Sequence, residues 1–380
     1  MRRRPLVPLL LLALLHLYIV LRLLPALSLA PLGATVVIAW AVASVVLIPA
    51  ALFSRSMTNR ATADRVAFAG LFMAGYFSSL LVATVLRDIA LLIAMPFLST
   101  PTFESLSEIT AWIAVGLATF ATLAGFLNAR RVARVVDVEI PLRQLPEALS
   151  GFTIAQISDL HVGPTIKRRY VDGVVDAVNA LGADLVAVTG DVVDGRVSDL
   201  SADTAPLARL TAKHGAYFVT GNHEYYAGER EWIQEFQRLG LRVLINEHVV
   251  IERDGARIVL AGVADFSAHH FNPRHRSDPV AAVQDAPEDA SVRILLAHQP
   301  RSAFAAVSAG FDLQLSGHTH GGQFWPWNHF VPLQQPFTAG LHRLRQLWVY
   351  VSRGTGYWGP PKRFGSPSEI TRLRLIRAPG

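Results

Sequence analysis

Five short polar clusters each close an apolar run in the second half of the chain: Asp159 and His161, Gly190 and Asp191, Gly221 to Glu224, His298, and Gly317 to His320. Together they supply two aspartates, four or five histidines and one asparagine, a donor set for a pair of metal ions. The sequence has no cysteine, so no disulfide or thiolate site is available and any metal must be held by nitrogen and oxygen. Such donors suit manganese, iron or zinc, with manganese the first expectation. Asp159 and His161 lie two apart, as do His318 and His320, so an extended turn would aim both members of each pair at one ion. Gly190 lets the backbone come close beside Asp191. Each cluster alone has a bland reading, because a histidine at a strand end is commonly structural and a Gly-Asp pair is commonly a turn. Five in this order do not. Glu224 and Asp194 read as carboxylates that orient a histidine or cap a turn rather than as ligands. Asp265, His269 and His270 read as loop residues, with or without a place in the pocket.

Positioning these groups requires strands with loops converging at one edge. Apolar runs read as strands over Phe152 to Ile157, Leu185 to Thr189, Ala216 to Thr220, Arg242 to Ile245, Arg257 to Val263, Val292 to Ala297, Leu313 to Leu315, Leu347 to Val351 and Ile370 to Ile376. Helical patterns fall at Arg168 to Leu181 and Glu229 to Leu239. The clusters then sit at the carboxyl ends of strands, the usual ligand edge of an α/β sheet. Residues 151–380 form this α/β domain, and 129–150, polar and carrying Pro141 and Pro146, form a linker or edge strand leading into it.

Asp159-Leu160-His161, Gly190-Asp191, Gly221-Asn222-His223-Glu224, His298 and Gly317-His318-Thr319-His320 together resemble the signature of the calcineurin-like metallophosphoesterase superfamily. Gly321-Gly322-Gln323 and the ending from Pro367 to Ile370 are similar to its bacterial membrane-associated branch. The resemblance covers about residues 150 to 376 and implies a two-sheet sandwich flanked by helices. By position it implies that Asp159, His161 and His320 bind one metal, that Asn222, His298 and His318 bind the other, and that Asp191 bridges them. His223 would lie beside the phosphate or the leaving oxygen as the catalytic residue. The implied reaction is hydrolysis of a phosphodiester or pyrophosphate by a hydroxide held between the two ions, with positioning and charge neutralisation doing the rest.

The remaining third of the chain has a different character. A hydrophobic fraction of 51% and mean hydropathy of +0.34 are too high for an ordinary soluble enzyme of 380 residues, and the excess lies before about residue 128. Four stretches of about twenty apolar residues, roughly Leu6 to Leu24, Ala34 to Phe53, Val66 to Leu86 and Ile109 to Leu127, are long enough to cross a bilayer. Residues 1–128 therefore read as a four-helix membrane anchor, with Arg87 and Asp88 as an interfacial pair ending the third helix. Arg2 to Arg4, Arg55, Arg60, Arg65, Arg130, Arg131 and Arg134 flank the spans on one side, whereas the loop bearing Glu104 and Glu108 has no arginine, so both ends of the bundle are expected in the cytoplasm. Arg2 to Arg4 followed by Ser28, Leu29 and Ala30 also admit a cleavable export signal, which leaves the catalytic half on the same side.

The net charge of +6 and pI near 9.9 come largely from juxtamembrane and C-terminal basic residues, so nucleic acid is not an expected partner. Phe324-Trp325-Pro326-Trp327 and Phe330 suit either a core or a headgroup-depth interface. The expected substrate is a phosphate ester carried on a lipid, met at the inner leaflet of the plasma membrane. The alternatives are a tethered phosphodiesterase acting on a soluble nucleotide and a catalytically inactive membrane scaffold, against which the complete ligand set argues.

Overall fold

The structure, a computed structural model, describes residues 6–378. It divides into two compact units, Met1–Arg130 with Gly359–Phe364, and Arg131–Trp358 with Gly365–Gly380. Arg2 to Arg4, invoked for orientation, lie outside the described residues.

The first unit contains α1 (Leu6–Leu23), α2 (Pro31–Phe53), α3 (Arg60–Ala94) and α4 (Thr100–Arg130). All four helices are long and apolar enough to cross a membrane. Small residues at close helix approaches hold the bundle together: Ala111, Ala114 and Ala118 of α4 are buried beside Ile19, Leu23 and Leu80. The expectation that Arg87 and Asp88 end the third helix is corrected, because α3 continues through them to Ala94. Most of the pair's polar atoms find partners within the bundle, Arg87 Nε being the exception. Arg87 donates to the carbonyl and hydroxyl of Ser107, and Asp88 accepts from Tyr18 and Arg22, so the helix has no electrostatic reason to stop there. Gly359–Phe364 joins this unit through Lys362, whose ammonium donates to the Gly75 carbonyl and to the hydroxyls of Ser79 and Thr122.

The second unit is a sandwich of two six-stranded sheets. One sheet runs in the order β1 (Arg134–Leu142), β12 (Glu369–Arg377), β2 (Thr153–Ile157), β3 (Leu185–Val188), β4 (Ala216–Phe218) and β5 (Arg242–Val243). The other runs β10 (Gly340–Leu344), β11 (Leu347–Val351), β9 (Leu313–Ser316), β8 (Val292–Leu296), β7 (Ala256–Gly262) and β6 (Glu247–Arg253). Within 129–150, β1 is an edge strand pairing in parallel with β12. The inner faces supply one core that includes Ile154, Leu185 and Leu373 from the first sheet and Leu260, Ile294 and Leu313 from the second. β2, β3 and β4 are parallel neighbours, as are β8 and β9, so their carboxyl ends share an edge within each sheet.

Helices complete the unit: α5 (Arg168–Ala180), α6 (Val197–Thr204), α7 (Asn222–Ala227), α8 (Glu229–Arg238) and α9 (Ala303–Ser308). α5 buries Val171, Val174, Val175 and Val178, one stripe at helical spacing. α8 buries Trp232 and Phe236, and the Phe236 ring lies 4.4 Å from that of Phe218 at the end of β4.

Candidate metal centre

Every predicted cluster lies just beyond the carboxyl end of a strand: Asp159 and His161 after β2, Asp191 after β3, Asn222 and His223 opening α7 after β4, His298 after β8, His318 and His320 after β9. The loops are stitched to one another. Asp159 N–H donates to Gly190 O at 2.9 Å, His161 N–H to Asp191 O at 3.1 Å, and Gly317 N–H to His298 O at 2.9 Å.

The loops are not the extended turns expected from the alternate spacing. Asp159, His161, Asp191, His318 and His320 all have left-handed φ, at 55°, 51°, 51°, 71° and 52°. Such conformations cost on the order of 1–3 kcal/mol each for a residue with a Cβ, and they persist where surrounding bonds over-determine them. Here the left-handed turn at alternate residues brings both side chains of each pair inward. Close approach of the loops also demands glycine: a Cβ on Gly317 would overlap Ser158 Oγ and Asp159 Oδ2, and one on Gly221 would overlap Asp191 Oδ1.

Three groups of donor atoms converge. Asp159, His161 and His320 form one, Asp191, His298 and His318 a second, and His161, Asp194 and His223 a third, with the donor atoms in each group within 4.8 Å of one another. His161 Nε2 and His320 Nε2 are 3.0 Å apart, and His318 Nδ1 and His298 Nε2 are 3.2 Å apart. Imidazole nitrogens aimed at each other in this way suit a shared cation better than a hydrogen bond. Asp191 Oδ2 lies 3.1 Å from His298 Nε2 and 4.0 Å from His161 Nε2, so one carboxylate reaches both groups. Asn222 Oδ1 is buried without a hydrogen-bond partner, an orphaned acceptor of the kind a metal satisfies. The donor set fits two divalent cations.

The supporting contacts are equally specific. His298 Nδ1 bonds the Thr189 carbonyl at 2.8 Å, fixing Nε2 toward Asp191. Asp194 Oδ1 accepts from His161 Nδ1 at 3.0 Å and from His223 Nδ1 at 2.6 Å, so one carboxylate orients a ligand candidate and the catalytic candidate together. Glu224 accepts the N–H groups of Asp191, Val192 and Gly221 at 3.0, 2.8 and 2.7 Å and is entirely buried. Its role is to pin the Asp191 loop. Asp265 is also buried but turns to Ser267 and Gln299, and among the described contacts His269 pairs with His270 rather than with the cluster.

Burial raises the Asp159 and Glu224 carboxyls, Glu224 to about 8, and the nearby Asp191 charge adds to both. For Asp191 burial is outweighed by the surrounding histidines, led by His298, and its pKa falls well below the ordinary range. Burial likewise opposes charge on His223, but Asp191 and Asp194 lift it to about 9. Burial, with His298 adding repulsion, depresses His318 to about 3, as befits a neutral imidazole donor.

Tyr226 and Trp358 were not foreseen. Their rings lie 5.2 and 6.0 Å from that of His223, and the only sequence signal was the helical spacing of Tyr226 from Asn222, four residues earlier in α7.

A family model for the calcineurin-like phosphoesterases matches residues 152–322. An uncharacterized metallophosphoesterase of Aquifex aeolicus is 32% identical over 244 residues, 64% of this chain and 91% of that protein. The chain belongs to the calcineurin-like metallophosphoesterase family. Two vertebrate relatives, each named a transmembrane protein with metallophosphoesterase domain, are also similar: that of Danio rerio is 40% identical, covering 67% of this chain, and that of Bos taurus is 41% identical, covering 70%. The chain spans 60% and 62% of the length of these two metallophosphoesterases.

Proposed function

We propose that the chain is a binuclear metal-dependent phosphoesterase acting on a lipid-linked phosphodiester or pyrophosphate at the cytoplasmic face of the plasma membrane. The observation that carries this reading is the pair of donor groups sharing Asp191, whose Oδ2 faces both His298 and His161. Asp159, His161 and His320 would hold one ion and Asn222, His298 and His318 the other, with Asp191 placed to serve both. Two bound cations supply Lewis acidity to the phosphoryl oxygens and bring the ionisation of water toward neutrality. Manganese is the expected metal, with iron and zinc as alternatives.

The protein's own groups do the positioning. Asp194 accepts a hydrogen bond from His223 Nδ1–H, which directs Nε2 to the side of Asp191 Oδ2, 3.9 Å away. From there His223 Nε2 donates to the phosphoryl or leaving oxygen. Glu224 and Ser158 hold the two aspartates, Ser158 Oγ donating to Asp159 Oδ2 at 2.5 Å.

Four helices of membrane-spanning length and relatives named as transmembrane proteins support a lipid-borne substrate. The full-length protein in bilayers, loaded with manganese, is assayed on a lipid-linked diphosphate and on a soluble cyclic nucleotide. The reading expects kcat/KM to favour the lipid by at least about tenfold. Preference for the nucleotide would replace it with a tethered phosphodiesterase, and turnover of neither would overturn it.

A further inference from the structure

One flank of the metal centre is built of exposed aromatic side chains. Tyr226, Phe271 and Trp358 are 57%, 51% and 55% exposed, far more than rings of that size retain in a core. They are contiguous with the chemistry. The His223 ring contacts Tyr226 at 5.2 Å and Trp358 at 6.0 Å, and Tyr226 contacts Phe271 at 5.4 Å. Isolated exposed rings need no explanation, but a connected group leading from a catalytic candidate to solvent does.

The rings are held in place. Tyr226 lies one helical turn after Asn222 on α7, with its ring between those of His223 and Phe271. Trp358 is bracketed through its backbone: its N–H donates to Gln323 Oε1 at 2.8 Å and its carbonyl accepts from Gln323 Nε2 at 2.8 Å. Gln323 follows His320 by three residues and is itself buried, so the loop that carries two metal-ligand candidates also fixes Trp358.

Their mutual angles define what fits. His223 and Tyr226 are inclined at 60°, His223 and Trp358 at 77°, and Tyr226 and Phe271 at 61°. A flat base is gripped by parallel faces, whereas inclined rings leave a shallow apolar corner suited to a flexible aliphatic chain. The four apolar helices place this chain where phosphoesters with such tails are concentrated.

We infer that Tyr226, Phe271 and Trp358 form a subsite for the aliphatic portion of the phosphoester, next to the leaving oxygen at His223. The inference rests on the proposed function for the identity of the reacting group. The subsite is a specificity element, distinct from the residues that hold metal.

Calorimetric titration of the manganese-loaded full chain in nanodiscs with hexyl, methyl and adenosine monophosphates tests it, with empty nanodiscs as the partition control. Hexyl phosphate binds at least about tenfold more tightly than methyl phosphate, a preference that burying two methylenes provides. In the Tyr226→Ala/Phe271→Ala variant that ratio falls below about threefold, and in Tyr226→Phe it is kept. Phe271→Ala alone, which lies outside α7, decides by the same ratio if the double variant fails to fold. Equal affinities in the wild type, an unchanged ratio in the alanine variants, or adenosine monophosphate as the tightest ligand would overturn the subsite. Chain-length preference in a protein that hydrolyses no phosphoester would keep the subsite and discard the proposed reaction, and turnover without preference would do the reverse.

Discussion

Asp194 shows how much of this site depends on residues that touch no metal. Its Oδ1 is shared by His161 and His223, and their rings meet edge to face at 4.6 Å. Asp194→Asn keeps the shape but cannot accept from both Nδ1–H groups with full charge, so turnover falls about 10–100-fold, measured as kcat at saturating metal. Glu224 acts through the backbone. Glu224→Ala strands three buried N–H donors, each costing about 1–3 kcal/mol, and the apparent melting temperature of the second unit falls accordingly. Unchanged melting would show that water replaces the carboxylate. Asp194 and Glu224 were legible in the sequence as orienting carboxylates, yet the sharing of Asp194 between two histidines was not, since it depends on loops 29 and 33 residues apart closing on each other.

At the level of elements, most strands that carry the ligands were readable because they are largely buried apolar runs, although β4 buries only Phe218. β3 and β9 are buried at every position. The elements that escaped are half-exposed edges: β6, with only Ile251 buried, and β10, with none. Their alternation is too weak to separate from a loop. α7 escaped because six residues do not complete a helical period pattern. α3 runs past the apolar stretch Val66 to Leu86 because charge does not end it: the neighbouring helices supply partners for Arg87 and Asp88. Truncating the sandwich core separates fold from site. Leu296→Ala, at a wholly buried position between the sheets, costs about 2–5 kcal/mol and lowers the unfolding midpoint. Metal stoichiometry below that midpoint stays as in the wild type, because the substitution removes packing and no donor.

For the whole molecule, a phosphoester centre is joined to four helices long and apolar enough to cross a membrane, and orientation decides which leaflet would supply substrate. The absence of cysteine makes this directly measurable. Glu288→Cys places a single thiol on an exposed loop of the second unit, and a membrane-impermeant maleimide labels it in inside-out vesicles but not in right-side-out ones. The reverse pattern would move the site to the opposite face. The central claim is the shared bridging carboxylate. Metal content of the purified full chain, counted by elemental mass spectrometry in the wild type and in Asp191→Ala, tests it most directly. Two divalent ions are expected per wild-type chain and one or none in the variant, and two ions retained by Asp191→Ala would contradict the shared carboxylate.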